Sequence, residues 1–173
     1  MTAERTLPAA AMALTATVAV SITLVAFGNI TDFGTNQEFV RHVLAMDTTF
    51  QDEDLMWRAI TDPAVQDAAY VLIIAWEALA ALVLLAATAL WLRGLARGRH
   101  GYGPARRATT VGLVMILLLF GLGFIGIGGE WFAMWQSAKW NGLQAAARNV
   151  TLAGVLLVLI HLPSPQWHRD REA

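Results

Sequence analysis

The chain has 173 residues, 57% of them hydrophobic, with a mean hydropathy of +0.52 and a formal net charge of −1. These values are too apolar for a typical soluble domain of this length, which needs a polar surface around one core. The sequence contains no cysteine, which excludes disulfides, thiolate metal sites and thiol nucleophiles.

Four apolar segments follow one another along the chain, and a helix needs about 20 such residues to cross a bilayer. They cover about residues 7–27, 68–92, 108–128 and 145–162. The fourth apolar core begins only at Val150 and needs residues 145–149 to reach spanning length. The pattern predicts an all-α membrane protein, a four-transmembrane-helix bundle in which residues 1–173 form a single membrane domain.

The first apolar segment ends in Ala26-Phe27-Gly28, which has the small-x-small form of a signal-peptidase site. The apolar run before it is longer than the roughly 7–15 residues of a signal-peptide core. We therefore expect a retained membrane helix.

The first outer segment, residues 29–67, shows helical spacing of apolar residues in two places. The two sets are Phe39, Val40, Val43, Leu44 and Leu55, Met56, Ala59, Ile60. They predict two short amphipathic helices that form a helical outer cap. Asp62-Pro63 then reads as an N-cap followed by a first-turn proline, so the second long helix should begin above the membrane.

Glu77 is the only formally charged residue well inside an apolar segment. Its helical face includes Ala80 and Ala81, which indicates that it faces a neighbouring helix. Counting inward by the same depth on the other spans places Ser21, Thr17 and Thr151 nearby, so we expect a hydroxyl-lined pocket around the carboxyl. An acid in this position is either a proton or cation site or a hydrogen-bonded group that fixes helix packing.

The loop over residues 93–107 carries five arginines and no acid, whereas residues 29–67 carry eight acids and two arginines. By the positive-inside rule the arginine loop is cytoplasmic, and four crossings place both termini there too. Eight basic residues then lie inside and four outside. The arginines do not indicate that the protein binds nucleic acid. Their role in orienting the chain in the membrane, next to anionic lipid, already explains them.

The second outer segment, residues 129–144, contains Glu130 and three tryptophans. Trp131 and Trp135 are four residues apart, which predicts that they share a helical face, and Trp140 follows. Tryptophans at a membrane boundary are typical of an aromatic belt, and a ligand-stacking cage is the alternative. Trp91 and Trp167 mark the inner boundary in the same way.

The histidines do not indicate a cofactor. His42 is outside, His100 and His168 are inside, and His161 ends the fourth span, so no two histidines share a depth for a haem. His42 and Met46 have a spacing compatible with soft-metal binding, but ordinary helix packing explains both, and we expect neither a metal nor a cofactor.

Five short stretches in the two outer segments together resemble the sequence of a known family. They are Asn29–Phe33, Phe39–Phe50, Trp57–Ile60, Gly129–Gln136 and Trp140–Gly142. Together they resemble a family of bacterial predicted small integral membrane proteins of unknown function, and the resemblance covers nearly the whole chain. It implies a four-helix, multi-pass protein of the bacterial inner membrane, and brings no activity or catalytic residue.

The sequence favours a non-enzymatic accessory or assembly subunit that docks a partner through its acidic outer cap, Asp47 to Asp62. The partner would be another membrane or envelope protein, or a second copy of the chain. The alternative is an oligomeric small-ion or proton conduit centred on Glu77. An intramembrane enzyme using Glu77, Asp47 and Glu130 ranks last. The outer-surface candidates are His42, Met46, Asp47, Trp57, Glu130, Trp131, Trp135 and Trp140.

Overall fold

The computed structural model describes residues 5–97 and 101–167, and the regular elements within these ranges are all helical. The long elements are α1 (Thr6–Thr31), α2 (Phe33–Ala45), α3 (Pro63–Arg97), α4 (Gly103–Ile116), a π-helix (Leu117–Trp131) and α5 (Leu143–His161). Short 3₁₀ turns occur at Met56–Arg58, Met134–Gln136 and Pro165–Trp167. His100, His168 and the basic residues Arg99, Arg169 and Arg171 lie outside the described ranges.

Four helices are long and apolar enough to cross a membrane: α1, α3, α4 continued by the π-helix, and α5. Their best windows have mean hydropathies from 1.7 to 2.6. The helices pack side by side around one core, in which α3 makes its main contacts with α1 and α4. The predicted all-α, four-helix membrane architecture is confirmed.

The start of α3 follows from its first residues. The helix begins at Pro63, and the Asp62 carboxylate accepts a 2.8 Å hydrogen bond from the backbone N–H of Ala64. The backbone N–H of Gln66 also donates to the Asp62 carbonyl. This confirms the predicted cap, because an aspartate oxygen satisfies a backbone donor that a helix start leaves without a partner.

The first outer segment is helical at α2, but the second helix predicted over Leu55–Ile60 is wrong: a single 3₁₀ turn covers Met56–Arg58. The acidic stretch before it forms local turns instead, since the Asp52 carboxylate accepts from the backbone N–H of Asp54. Ala59 is then extended, with ψ of 134°, and Ile60 donates its N–H to the carbonyl of Leu44. This bond holds the chain against α2 and prevents a helical continuation.

The π-helix gives the third span an unusual outer half, because π-helical geometry is rare and often lies at functional sites. Its wide turns continue to the end, where the N–H of Phe132 donates to the carbonyl of Ile127, five residues back. A side chain at Gly129 would come within 2.8 Å of Leu143, so this glycine permits close packing against α5. Two rings of this segment, Phe120 and Phe124, line the cavity described below.

At the opposite end of the bundle, Trp91, Tyr102 and Trp167 form a buried group that we call the inner aromatic cluster. Trp91 is 0% exposed, and its indole donates to Thr109. Trp167 is 3% exposed, and its indole donates to the carbonyl of Leu162. The interpretation of Trp91 and Trp167 as belt residues is therefore wrong: both are packed core residues, since their polar N–H groups find partners inside the protein.

Candidate functional site

Glu77 lies in the interior of the bundle with only 1% of its surface exposed, in agreement with the face predicted for it. The Nδ2 group of Asn29 donates a 2.6 Å hydrogen bond to its Oε2. Asn36 donates in turn to Oδ1 of Asn29, and the Tyr70 hydroxyl donates to the Asn29 carbonyl. Glu77 is thereby joined to the end of α1 and, through two amides, to α2.

A cavity of about 260 Å³ borders Glu77 beneath α2, between the outer parts of α1, α3, the π-helix and α5. Its polar lining is Asn29, Asn36, Tyr70, Glu77, Arg148 and Asn149. The remaining wall is apolar and includes the rings of Phe39, Phe120 and Phe124. We refer to this space as the outer cavity.

The hydroxyls predicted to surround Glu77 lie elsewhere. Thr17, Ser21 and Thr151 line a separate cavity of about 210 Å³ between α1 and α5, and Glu77 does not line it. Thr17 and Thr151 donate to carbonyls of their own helices. The predicted hydroxyl-lined pocket is therefore wrong, because counting residues inward gives the depth of a side chain but not the side of the helix on which it projects.

Sequence reasoning missed Asn29 and Asn36 as the partners of Glu77. Asn29 ends the apolar run of the first span, and Asn36 follows seven residues later, a separation of about two helical turns that brings residues to one face. That spacing was the available signal. The apolar pattern alone places both residues in an outer loop, whereas α1 and α2 are nearly continuous there.

His42 and Met46 do not converge on a metal site. The helix α2 ends at Ala45, and Met46 has a left-handed backbone with φ of 54°, so the spacing of four no longer places the two residues on one face. Met46 is 1% exposed and packs with Phe132 and Ala133. His42 instead contacts Asp47 at 2.8 Å and stacks on the ring of Trp140.

Trp131 and Trp135 do not share a helical face, contrary to their spacing, because the π-helix ends at Trp131 and Ala133 has φ of 52°. Each tryptophan pairs with an aromatic ring of the first outer segment: Trp131 with Trp57 at 5.5 Å, and Trp135 with Phe50 at 5.8 Å. All four rings are exposed, by 46% to 73%. We call Phe50, Trp57, Trp131 and Trp135 the outer aromatic group. Glu130 is also exposed beside it in sequence.

Hydrogen bonds fix the outer cap, which we define as residues 32–62, to the rest of the molecule. Thr48 donates to Ser137, and the backbone N–H of Phe50 donates to the side chain of Gln136. Arg41 makes a bidentate contact with Asp67 of α3, at 3.0 and 2.9 Å. This carboxylate raises the pKa of Arg41 above its ordinary value, chiefly through the hydrogen bond.

Comparisons with known proteins give a family but no activity. No curated protein and no solved structure matches the chain. A family model with the description "Predicted small integral membrane protein (DUF2165)" matches residues 7–163, which is most of the chain. The four candidate spans agree with that description. The chain therefore belongs to this family of small integral membrane proteins of unknown function.

Proposed function

We propose that the protein is a non-enzymatic accessory or assembly subunit of the bacterial inner membrane, and that its outer cap docks a partner protein with a basic outer surface. One observation carries this proposal: exposed rings and exposed acids lie together on a cap that is fixed to the bundle. Phe50 and Trp57 are 73% and 70% exposed. The acids Asp52, Glu53 and Asp54, all exposed, lie between them in the chain.

The charge of the cap favours a basic partner. Between Asp47 and Asp62 the chain carries five acids and one base, Arg58. Asp52, Glu53 and Asp54 make no ion pair within the described residues. Lysine and arginine side chains of a partner would be attracted to these carboxylates. The rings of Trp57 and Trp131 already have the guanidinium of Arg58 over them, at 5.6 and 4.8 Å from the ring centroids.

A surface that is already ordered favours docking, because the cap loses less conformational entropy when a partner binds. The bonds from Thr48 and Phe50 to the second outer segment already order the loop that presents the acids. The buried side chain of Met46 holds the same loop from below. Preorganisation of this kind increases affinity without adding contacts.

Photo-crosslinking in native bacterial membranes tests the proposal. A photoreactive amino acid at position 57 should give one cross-linked protein, with the adduct near lysine or arginine residues of that protein. Neutralising the three acids (D52N, E53Q and D54N) should abolish the product, whereas D32N with E38Q, which neutralises acids outside the Asp47–Asp62 segment, should leave it unchanged. Adducts with lipid alone would contradict docking, and an adduct with the chain itself would favour a homo-oligomer.

The proposed function also requires that the outer cap lies on the external side of the membrane. The eight-to-four distribution of basic residues supports cytoplasmic termini and an external cap. Reporters fused after Gly98 and at the C-terminus should show cytoplasmic activity, and one at Thr49 should show external activity. A cytoplasmic signal at Thr49 would contradict both the orientation and the docking site.

A proton or ion conduit centred on Glu77 is the second candidate, and the buried acid beside a cavity favours it. In a single copy, however, the face of α3 that continues inward from Glu77 is closely packed. Ala80, Leu84 and Ala87 on it are at most 1% exposed. A conduit would therefore have to form between copies of the chain.

A further inference from the structure

The outer cavity is lined by an acidic and a basic residue that do not contact each other. Within the described residues the ion pairs are Arg41–Asp67 and His42–Asp47. Glu77 and Arg148 both line the outer cavity, yet they form neither a hydrogen bond nor an ion pair with each other. The lining of the cavity therefore includes one acidic and one basic residue that do not pair with each other.

Neither group is fully satisfied by the protein. Glu77 receives one hydrogen bond, from Asn29 to Oε2, and Oε1 accepts none from the described residues. Arg148 is exposed at the edge of the cavity and has no polar contact within the same residues. The only fully enclosed side-chain N or O atom without a partner among the described residues is Nε of Arg58, so Oε1 of Glu77 is open to the cavity, where a donor group of a ligand can reach it.

The wall between the two charges suits an organic ammonium group. The rings of Phe39 and Phe124 lie 6.3 Å apart, and Phe120 packs against Phe124 at 5.3 Å. An aromatic face attracts a cation, and the amide oxygens of Asn36 and Asn149 are further acceptors on this wall. A primary ammonium group has three N–H donors to share among a carboxylate and such amides.

We propose that the outer cavity binds a small zwitterion, with a primary ammonium group at Glu77 and a carboxylate or phosphate group at Arg148. The single ligand neutralises both unpaired groups, which an isolated cation or anion does not. The volume of about 260 Å³ limits its size. Cavities for drug-sized ligands begin at about 300 Å³, so the bound part is smaller than a drug molecule.

This chemistry has two sources at the outer face of a membrane. One is a free amino-acid-like solute in the external water. The other is the headgroup of phosphatidylethanolamine, which carries a primary ammonium and a phosphate. Arg148 lies near the outer start of α5 and is exposed, so the anionic end of either ligand reaches the cavity from that side.

The test uses the full chain in nanodiscs of phosphatidylcholine, which lacks a primary ammonium group. Alanine and phosphoethanolamine are added in water, and in a second arm phosphatidylethanolamine is added to the bilayer. Ethylamine and inorganic phosphate serve as probes with one charge only. Binding of the soluble probes is measured by calorimetry, and lipid binding by native mass spectrometry.

We expect saturable binding of at least one zwitterion and markedly weaker binding of both single-charge probes. Glu77→Gln and Arg148→Gln should each raise the Kd by about tenfold or more, the effect of losing one hydrogen bond to a charged group. Thr151→Ala changes the neighbouring cavity and should leave the Kd unchanged. A thermal unfolding midpoint for every variant separates lost binding from lost folding.

Two results overturn the proposal. The first is the absence of saturable binding of every zwitterion to the folded wild-type protein. The second is equally tight binding of ethylamine, or of a zwitterion to Arg148→Gln, because the anionic half of the ligand would then have no role. Binding only in the lipid arm assigns the headgroup as the source, and binding only in the water arm assigns a free solute.

Discussion

The two ends of the bundle use aromatic residues in opposite ways. The inner aromatic cluster is closed: Trp91, Tyr102 and Trp167 are between 0% and 9% exposed, with rings 5.4 to 6.0 Å apart. The outer aromatic group has similar spacings, but its rings are 46% to 73% exposed. The difference teaches that a tryptophan at a membrane boundary does not always face lipid. Whether it is buried or exposed depends on the hydrogen-bond partner of its indole and on the helices that pack around it.

Two glycines of the membrane helices also differ in how closely a neighbouring helix approaches them. A side chain at Gly112 of α4 would lie 2.6 Å from Leu84 of α3. A side chain at Gly28, near the outer end of α1, would meet nothing within 4 Å. The approach of α3 and α4 at Gly112 is thus close-packed, whereas no neighbouring side chain packs on Gly28.

The largest expected effect is at the inner aromatic cluster. Trp91→Ala should lower the free energy of unfolding by about 3–5 kcal/mol, because it creates a large cavity and leaves Thr109 without its indole partner. Reversible unfolding in detergent measures it. A loss below 1 kcal/mol in Trp91→Ala, on the order of a surface substitution, would show that the inner end is not closed.

The next effect concerns the close approach of α3 and α4. Gly112→Ala should destabilise the protein by about 1–3 kcal/mol, because the new methyl group overlaps the side chain of Leu84. The matched control is Gly28→Ala, which should be stabilising by about 0.5–1 kcal/mol since alanine is the better helix former. Equal effects of the two substitutions would remove the contrast between these two glycines.

A smaller effect is expected at Glu77. Glu77→Leu should cost about 1 kcal/mol, because the interhelical hydrogen bond with Asn29 is lost. Glu77→Gln keeps the size of the side chain and a hydrogen-bonding oxygen, so its unfolding free energy should stay close to that of the wild type. If glutamine were as destabilising as leucine, the charge rather than the hydrogen bond would hold α1 and α3 together.

The smallest expected effect on stability is in the outer aromatic group. Trp57→Ala should change the free energy of unfolding by less than about 1 kcal/mol, since the exposed ring loses its edge contact with Trp131 and an exposed contact with the guanidinium of Arg58. The same variant should strongly weaken any product of the crosslinking experiment when the photoreactive group is placed at position 50. A loss of stability comparable with that of Trp91→Ala would show that the outer group is part of the core.

The sequence predicted the helices well where one physical requirement dominates. Apolar length identifies the four spans, because an uninterrupted apolar helix satisfies its own backbone in lipid. Asp62-Pro63 located the start of α3 for a similarly local reason. The π-helix was not predictable in the same way, because its apolar residues satisfy the length requirement in either helical form.

The candidate site was predicted only in part, because it depends on contacts between distant residues. The helical face of Glu77 correctly indicated burial. Its partner Asn29 lies 48 residues away, and Arg148 on α5 lines the same cavity. The rotation of each helix about its axis decides such contacts, and the residue count of a single span does not contain that information.

The length of α3 has a mechanical consequence. The helix runs without a break from Pro63 to Arg97, which is 35 residues, or roughly 52 Å at the usual rise, against about 30 Å for the hydrocarbon layer. After Pro63 the helix contains no further proline, and its first glycine is Gly94. It therefore behaves as a stiff rod between the two aqueous faces. Because Asp67 near its outer end is bound to Arg41 of the cap, this one helix joins the cap directly to the residues that enter the arginine-rich loop.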